Sequence, residues 1–323
     1  MQQRRFGRTG LSISPFTLGG GIVGGILVHP PDEVRLEALR LVTDAGCNWI
    51  DTAADYGGGE SEKALGRLLP QLETQPQLST KVRLDTSERD DLEGRIRRSL
   101  ETSLTRLGRD RVELMQLHNP IGRSSDGHTI AVREVLGPGG VADVLDTLKG
   151  EGLFGAFGIT ALGDTAALIE VIDSGRFDTA QVYYNMLNPS AAQQMPPGWS
   201  GQDFAGVAAA CSRHDLGIMA IRVLAGGVLA SEEPHGREVS VTSDAALERE
   251  QARAQKLFAR LGDRWGTRAA TAIRYALAED ALSTIVVGAA RLEHLREAID
   301  AFEAGPLPNE ALDEIAACHA RDF

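Results

Sequence analysis

A chain of 323 residues that is 42% hydrophobic is too long for one small sandwich and ample for a sizeable core; its length allows two ordinary domains or one α/β barrel. With 33 basic against 45 acidic residues, the formal charge of −12 counts against non-specific binding to nucleic acid or an anionic membrane, since both need a basic face. Glycine, 36 residues or about 11% where roughly 7% is usual, belongs to turns and close backbone approaches, because Pro plus Gly stays well short of the low-complexity range.

In chain order, strand-like runs occur at Ser12–Leu18, Cys47–Thr52, Leu78–Val82, Val112–His118, Leu153–Ile159, Asp178–Tyr183, Leu216–Arg222 and Leu282–Val287. Helical periods lie between them. Val34, Ala38, Leu41, Val42 and Ala45 share one stripe, and Leu92, Ile96, Leu100, Leu104 and Leu107 another. Further helices fit Glu62–Leu69, Val141–Lys149, Asp164–Ser174, Phe204–His214, Leu247–Arg264 with Arg268–Ala278, and Leu292–Phe302. Alternation of this kind implies a parallel sheet. Eight such units favour a closed (β/α)8 TIM barrel, one domain over residues 1–323 with short terminal additions. The doubly wound alternative lacks its G-x-G-x-x-G turn, which neither Gly19-Gly20-Gly21 nor Gly57-Gly58-Gly59 supplies. Two connections are long: one from His118 to near Val141, after the fourth strand, and one from Arg222 past Pro234 to about Ala245, after the seventh. Structureless connections of that length usually shape or cover a binding site.

Cys47, Cys211 and Cys318 are far apart, without a CxxC pair or metal-ligand spacing, which points to buried thiols in a reducing compartment. The start, MQQRRFGRTGLSIS, has basic residues but no apolar run of a signal peptide, and no stretch approaches 18 apolar residues. A soluble, cytoplasmic protein is expected.

In a barrel the C-terminal strand ends converge on one mouth, where active sites sit. Those ends are Gly19-Gly20, Asp51, Lys81, His118, Thr160, Gln181, Arg222 and Gly288. Asp51 and Lys81 end adjacent strands, so an ion pair across the mouth is expected. Tyr56, five residues beyond Asp51, can fold its hydroxyl back over it. A phenol near an ammonium has its phenolate favoured, so a lowered Tyr56 pKa is expected, suited to exchanging a proton with an alkoxide. His118 could hold the carbonyl oxygen or share the proton. The set contains no nucleophile with an attached base and no metal cluster; it suggests proton delivery to a carbonyl, which needs a hydride source. Taken singly, each residue has a duller explanation: a structural ion pair, a satisfied buried imidazole, a half-exposed loop tyrosine. Their clustering at consecutive strand ends favours chemistry. His29, His128, His214, His235, His294 and His319 read as surface or structural residues, and Trp199 as a pocket wall or a cover for the barrel edge.

The sequence resembles the aldo-keto reductase family. The matching pieces are RRFGRTGL (Arg4–Leu11) with Leu18-Gly19-Gly20, DTAADYG (Asp51–Gly57) with Ser61-Glu62, Ser79-Thr80-Lys81, Leu117-His118, Gly158-Ile159-Thr160, QVYYN (Gln181–Asn185), LAGGVL (Leu224–Leu229) and Val287-Gly288-Ala289. They run in family order from about residue 3 to residue 302. The resemblance implies a (β/α)8 barrel and NAD(P)-dependent interconversion of a carbonyl (aldehyde, ketone or aldose) and its alcohol. It also implies a catalytic tetrad: Tyr56 as general acid, Lys81 lowering its pKa, Asp51 paired with Lys81, and His118 orienting the carbonyl. For the cofactor it implies Gly19, Gly20 and Asp51 beside the nicotinamide ribose, Thr160 and Gln181 on the carboxamide, and the Arg222–Gly227 stretch, with Leu224 and Gly226, around the pyrophosphate. Gly288 falls near the adenosine.

Several positions depart from the family pattern. Ala161 stands where an asparagine is usual, Ile221 where an aromatic often stacks on the nicotinamide, and Arg222 where a serine is common; its guanidinium could clamp the pyrophosphate. The family's lysine for the adenosine 2′-phosphate is missing, leaving Arg291, with His294, as the candidate and inclining the cofactor to NADP(H) over NAD(H). The run RVLAGG resembles bacterial sugar-dehydrogenase branches, with pyridoxal dehydrogenases near by. A small-molecule carbonyl or alcohol is the expected partner, with no metal, and the oligomeric state stays open. The alternative function is a nicotinamide-binding regulatory or redox-sensing barrel with negligible turnover.

Overall fold

Near-continuous apolar runs with no polar face suit strands covered on both sides, as in an all-parallel barrel. The computed structural model, which describes residues 1–88, 90–232, 236, 241 and 247–321, contains such a barrel. Its eight parallel strands are β1 (Phe16–Gly19), β2 (Trp49–Asp51), β3 (Gln77–Val82), β4 (Val112–Leu117), β5 (Phe154–Ala161), β6 (Thr179–Tyr183), β7 (Gly217–Ile221) and β8 (Thr284–Val287). Each pairs with the next in sequence, and β8 returns to β1. The outer helices are α1 (Asp32–Asp44), α2 (Glu60–Leu68), α3 (Leu92–Leu107), α4 (Val141–Gly150), α5 (Thr165–Asp173), α6 (Val207–Arg213), α7 (Arg268–Leu277) and α8 (Leu292–Ala304). Local chemistry sets several of their ends. Asp164 caps α5 by accepting from the Ala167 N–H at 2.8 Å, and Gly108 ends α3 in the left-handed conformation.

Two layers of apolar contact hold the barrel. One large cluster fills the space between helices and strands. A smaller one, of Phe6, Ile13, Trp49, Leu114, Ala156 and Met219, joins the strands to the N-terminal segment. That segment is a hairpin in which Arg4–Arg5 pairs antiparallel with Ser12–Ile13. Gly217 makes room for it: a Cβ there would lie 2.4 Å from the Phe6 ring, so only glycine fits. Arginines then stitch the hairpin to distant carbonyls. Arg4 donates to Leu282 at 2.9 Å, and Arg8 to Gly175 and Phe177 at 2.7 and 2.6 Å. Arg5 pairs with Asp215.

The expected strand Ser12–Leu18 is therefore two elements, because Ser12–Ile13 pairs with the N-terminal hairpin strand before β1 begins. The connection after β4 is not structureless. It carries the paired strands Ile121–Gly122 and Ile130–Ala131 and a short helix, Val132–Leu136. A further long connection, residues 184–206, follows β6. Part of the one after β7, including Pro234, His235 and Ala245, lies outside the described residues. A last helix, Asn309–His319, had no counterpart in the sequence reading. Its His319 donates through Nε2 to the Met186 carbonyl at 2.9 Å and meets Trp199 edge-on, so Trp199 packs against this helix. The three cysteines are free and buried, and burial pushes the Cys211 thiol up to about 12. Among the described residues no helix is long and apolar enough to cross a membrane.

Candidate active site

β2 and β3 lie in register so that Asp51 faces Ser79, two residues before Lys81. Side chains two apart share a face of the sheet. Lys81 Nζ consequently reaches Asp51 Oδ2 at 2.6 Å, the Thr52 carbonyl at 2.7 Å and the Tyr56 hydroxyl at 3.2 Å. The lysine side chain is 0% exposed and that of Asp51 4%, so the pair is buried and all three ammonium hydrogens have acceptors. Asp51 Oδ1 accepts three more hydrogen bonds, from Ser79 at 2.7 Å, Gln181 at 2.9 Å and Gln116 at 3.1 Å. Ser79 in turn accepts from the Trp49 indole at 3.0 Å.

Tyr56 returns over this pair because the chain reverses immediately after it. Gly57, Gly58 and Gly59 all adopt left-handed conformations (φ of 60°, 63° and 89°), a run that residues with a Cβ rarely sustain. Arg106 clamps the loop, donating to the Ala54 carbonyl at 3.1 Å and to buried Glu62 at 3.2 Å; Glu62 also accepts from Thr80 at 2.6 Å.

The electrostatics correct one expectation. Burial pushes the Tyr56 phenol up from its ordinary value; Lys81 pulls it down, but Asp51 and Asp55 oppose that pull. The expected lowering counted the ammonium and neglected both the burial and the carboxylates that surround it. Lys81 is itself held above its ordinary value, with Asp51 as the main partner offsetting its burial. The free protein thus holds a protonated phenol beside a protonated amine.

His118, just past β4, continues the pairing through its N–H to the Val82 carbonyl at 2.8 Å. Its ring stands edge-on to Tyr56, centroids 5.7 Å apart. Burial lowers its pKa, with Asp55 opposing and Lys81 and Arg83 adding to the lowering, so the imidazole is neutral near pH 7. Its buried Nδ1 meets the Asp55 carboxylate at 3.4 Å, an ion-pair distance too loose for a well-formed hydrogen bond. Arg83 Nε donates to the other Asp55 oxygen at 2.8 Å. Burial pushes the Asp55 carboxyl up, but the contacts with His118 and Arg83 hold it far below the usual carboxylate range.

Asp51, Tyr56 and His118 line a cavity of about 1460 Å³, larger than the usual 300–1,000 Å³ of a single-ligand pocket. Gly19, Thr160, Gln181, Arg222, Leu224, Gly226, Gly288 and Arg291 line the same cavity. Lys81 lies beneath it. Gly20 is buried behind it, with its N–H on the Asp51 carbonyl at 2.8 Å. Among the described residues no three His, Cys, Asp or Glu side chains group as metal ligands.

A family profile for aldo/keto reductases matches residues 17–320. The chain belongs to the aldo/keto reductase family. D-threo-aldose 1-dehydrogenase of a Pseudomonas species is 28% identical over 257 residues, 70% of each chain. L-galactose dehydrogenase of Arabidopsis thaliana is 24% identical over 98% of this chain and 94% of its own. Among solved structures, an aldo-keto reductase from Bacillus halodurans in its holo form superposes with a TM-score of 0.73 at 21% identity, covering 98% of this chain and 96% of its own. Glycerol dehydrogenase from Gluconobacter oxydans gives 0.71 at 20% identity, covering 99% and 96%.

An aldo/keto reductase needs room for a nicotinamide dinucleotide, and several residues here fit one. Thr160 Oγ1 is buried, has no hydrogen-bond partner among the described residues and belongs to a residue at the cavity wall, next in register to Gln181. A buried hydroxyl left unpaired is costly unless a ligand satisfies it. Arg222 has a left-handed backbone (φ 62°), unusual for a side chain of its size. Its carbonyl accepts from Asn185 at 3.0 Å, and the groups that act on its largely buried charge are Tyr183, Glu250 and Tyr56. Arg291 stands at the N-terminus of α8 and contacts His294 at 3.2 Å, both at the cavity.

The sequence reading missed Asp55, Arg83, Gln116 and the cavity role of His128. Gln116 had a usable signal, being a polar residue inside an apolar strand. His128 is exposed as expected, yet it stands at the cavity rim. Asp55 and Arg83 carried no signal beyond their nearness to Tyr56 and Lys81.

Proposed function

We propose that the protein is a cytoplasmic NAD(P)-dependent oxidoreductase, one barrel domain over residues 1–323, that interconverts a small carbonyl compound and its alcohol, with Tyr56 as general acid and base. The observation that carries this reading is the Lys81–Tyr56 contact of 3.2 Å at the floor of a cavity that His118 also lines. The nicotinamide supplies the hydride or accepts it. Everything else falls to side chains of this chain. Tyr56 holds the proton given to the developing alkoxide, and its raised pKa keeps it protonated for that task. Lys81 stabilises the phenolate left behind, and Asp51, with its three further donors, keeps the lysine charged and aimed. The Thr160 hydroxyl and Gln181 amide would hold the carboxamide, with Gly19 beside the ribose. Arg222, Leu224 and Gly226 would enclose the pyrophosphate, and Gly288 the adenosine. Arg291 and His294 at the α8 N-terminus would take a 2′-phosphate, which favours NADP(H).

An aldose or a similar polyhydroxy compound is the proposed substrate. The polar residues Asp55, Arg83, His128, Asp164 and Gln202 also line the cavity, and the two sugar dehydrogenases above give this choice further support. A regulatory barrel without turnover is less well supported, because binding alone has no need of a phenol on a buried lysine.

Fluorescence titration with NADPH and NADH, followed by turnover on an aldose and carbonyl panel, tests the reading. Cofactor binding with turnover that falls about 10²- to 10⁴-fold in Tyr56→Phe, while the dissociation constant holds, is the expected result. Failure of both dinucleotides to bind, or an unchanged rate in Tyr56→Phe, would overturn it.

A further inference from the structure

The loop that leaves β1 carries five glycines, at positions 19, 20, 21, 24 and 25. Close packing accounts for three of them. A Cβ on Gly19 would lie 3.1 Å from the Val286 side chain, one on Gly20 2.6 Å from the Ser61 hydroxyl, and one on Gly24 2.6 Å from the Ala289 backbone nitrogen. Gly25 adopts a φ of 76°. Gly21 is under neither constraint. Its φ lies outside the left-handed region, and a Cβ there would find its nearest neighbours at 3.7 Å, ordinary van der Waals contact. Those neighbours are Cε2 and Cζ of Tyr56, followed by the Tyr56 hydroxyl oxygen at 3.9 Å. Gly21 and Tyr56 both line the cavity, and Lys81 reaches the same hydroxyl at 3.2 Å. The backbone could therefore carry a side chain at residue 21, and its absence leaves open the space beside the tyrosine oxygen.

We propose that Gly21 is a specificity-determining residue: it keeps room beside the Tyr56 hydroxyl for a second substituent on the reacting carbon. The site then takes a carbon that bears two non-hydrogen groups besides its reacting oxygen, as in a ketone, a secondary alcohol or the ring carbon of a lactol. An aldehyde carbon bears one chain and one hydrogen, and the hydrogen can face residue 21. With two heavier groups that choice is gone. One group extends along the cavity, and the other has to fit next to the oxygen that meets Tyr56, in the space that a side chain at residue 21 would fill. The C1 carbon of a cyclic aldose, which bears the ring oxygen and C2, belongs to this class. The inference rests on the oxidoreductase reading and narrows its substrate by the crowding at one carbon.

The test compares pyridine-3-carbaldehyde with its methyl ketone, 3-acetylpyridine, as substrates of the wild type, Gly21→Ala and Gly21→Val. The wild type should reduce both. Gly21→Ala should lower kcat/KM for the ketone about 10- to 200-fold relative to the aldehyde, the usual worth of one carbon in a pocket, and Gly21→Val should lower it further. The two compounds differ in intrinsic reactivity, but that difference cancels when a variant's ketone-to-aldehyde ratio is divided by that of the wild type. Two controls guard against a distorted loop. The melting temperature of Gly21→Ala should be equal or higher, because alanine in a compatible conformation restricts the unfolded chain, and its dinucleotide dissociation constant should hold. A ratio unchanged in both variants, or a wild type that rejects the ketone, would overturn the proposal. So would weaker dinucleotide binding in Gly21→Ala, which would assign the space to the cofactor. The oxidoreductase reading survives each of these results if any member of the carbonyl panel turns over, and falls together with the proposal only if none does.

Discussion

Replacing Asp51 by asparagine removes one partner of a buried ion pair while keeping its volume. Lys81, with a fully buried side chain, would lose its carboxylate partner and keep neutral acceptors, among them the Thr52 carbonyl at 2.7 Å and the Tyr56 hydroxyl at 3.2 Å. An uncompensated buried charge of this kind costs about 3–5 kcal/mol. That is a large part of the roughly 5–15 kcal/mol that holds a protein folded. Urea unfolding followed by circular dichroism should register it as a midpoint about 1 M or more lower, at an m-value near 3 kcal/mol/M. Asp51→Asn combined with Lys81→Met removes the stranded charge and should recover most of the stability without any activity. Coupling between the two sites is the decisive quantity. A single variant within about 1 kcal/mol of wild type, or a double variant no more stable than Asp51→Asn, would refute the claim that the pair is a desolvated charge couple.

Thr160→Val should separate stability from binding. Deleting an unpaired buried hydroxyl should leave stability unchanged or raise it by about 1 kcal/mol, while both dinucleotides bind about tenfold more weakly; paired melting curves and fluorescence titrations read the two effects. Arg291→Ala should weaken NADPH about 10- to 100-fold and NADH little, seen in the ratio of dissociation constants; equal losses would place the 2′-phosphate elsewhere.

How far the barrel and its site were legible depends on how local each signal was. The eight βα units, and the Asp51, Lys81, His118 and Thr160 strand ends, could be read because periodicity and strand termination are local properties. The hairpin around Phe6 could not be separated from β1, because Ser12–Ile13 and Phe16–Gly19 are equally apolar and differ only in their partners. Gln116 stands out as a polar residue in an apolar strand, but its partner Asp51 is fixed only once the register sets it opposite Lys81. The direction of the Tyr56 shift needed the count of charges around it, Asp51 and Asp55 against Lys81, and that count is a property of the folded site. Asp55 is the clearest case. It sits one residue before Tyr56 and reads as an ordinary loop aspartate until the ring of His118 is brought against it.

The N-terminal hairpin bears on the order in which the chain assembles. Its arginines bind carbonyls at positions 175, 177 and 282, and its Phe6 sits against Gly217. During synthesis these partners emerge long after the hairpin itself, so the first thirteen residues wait while seven strands form. Closing the floor of the barrel is then a late event with a large loop-closure cost. A fusion or truncation at the N-terminus should slow completion of the barrel and expose Phe6 and Trp49 to aggregation, and through the Trp49–Ser79–Asp51 hydrogen bonds that damage would reach the site itself.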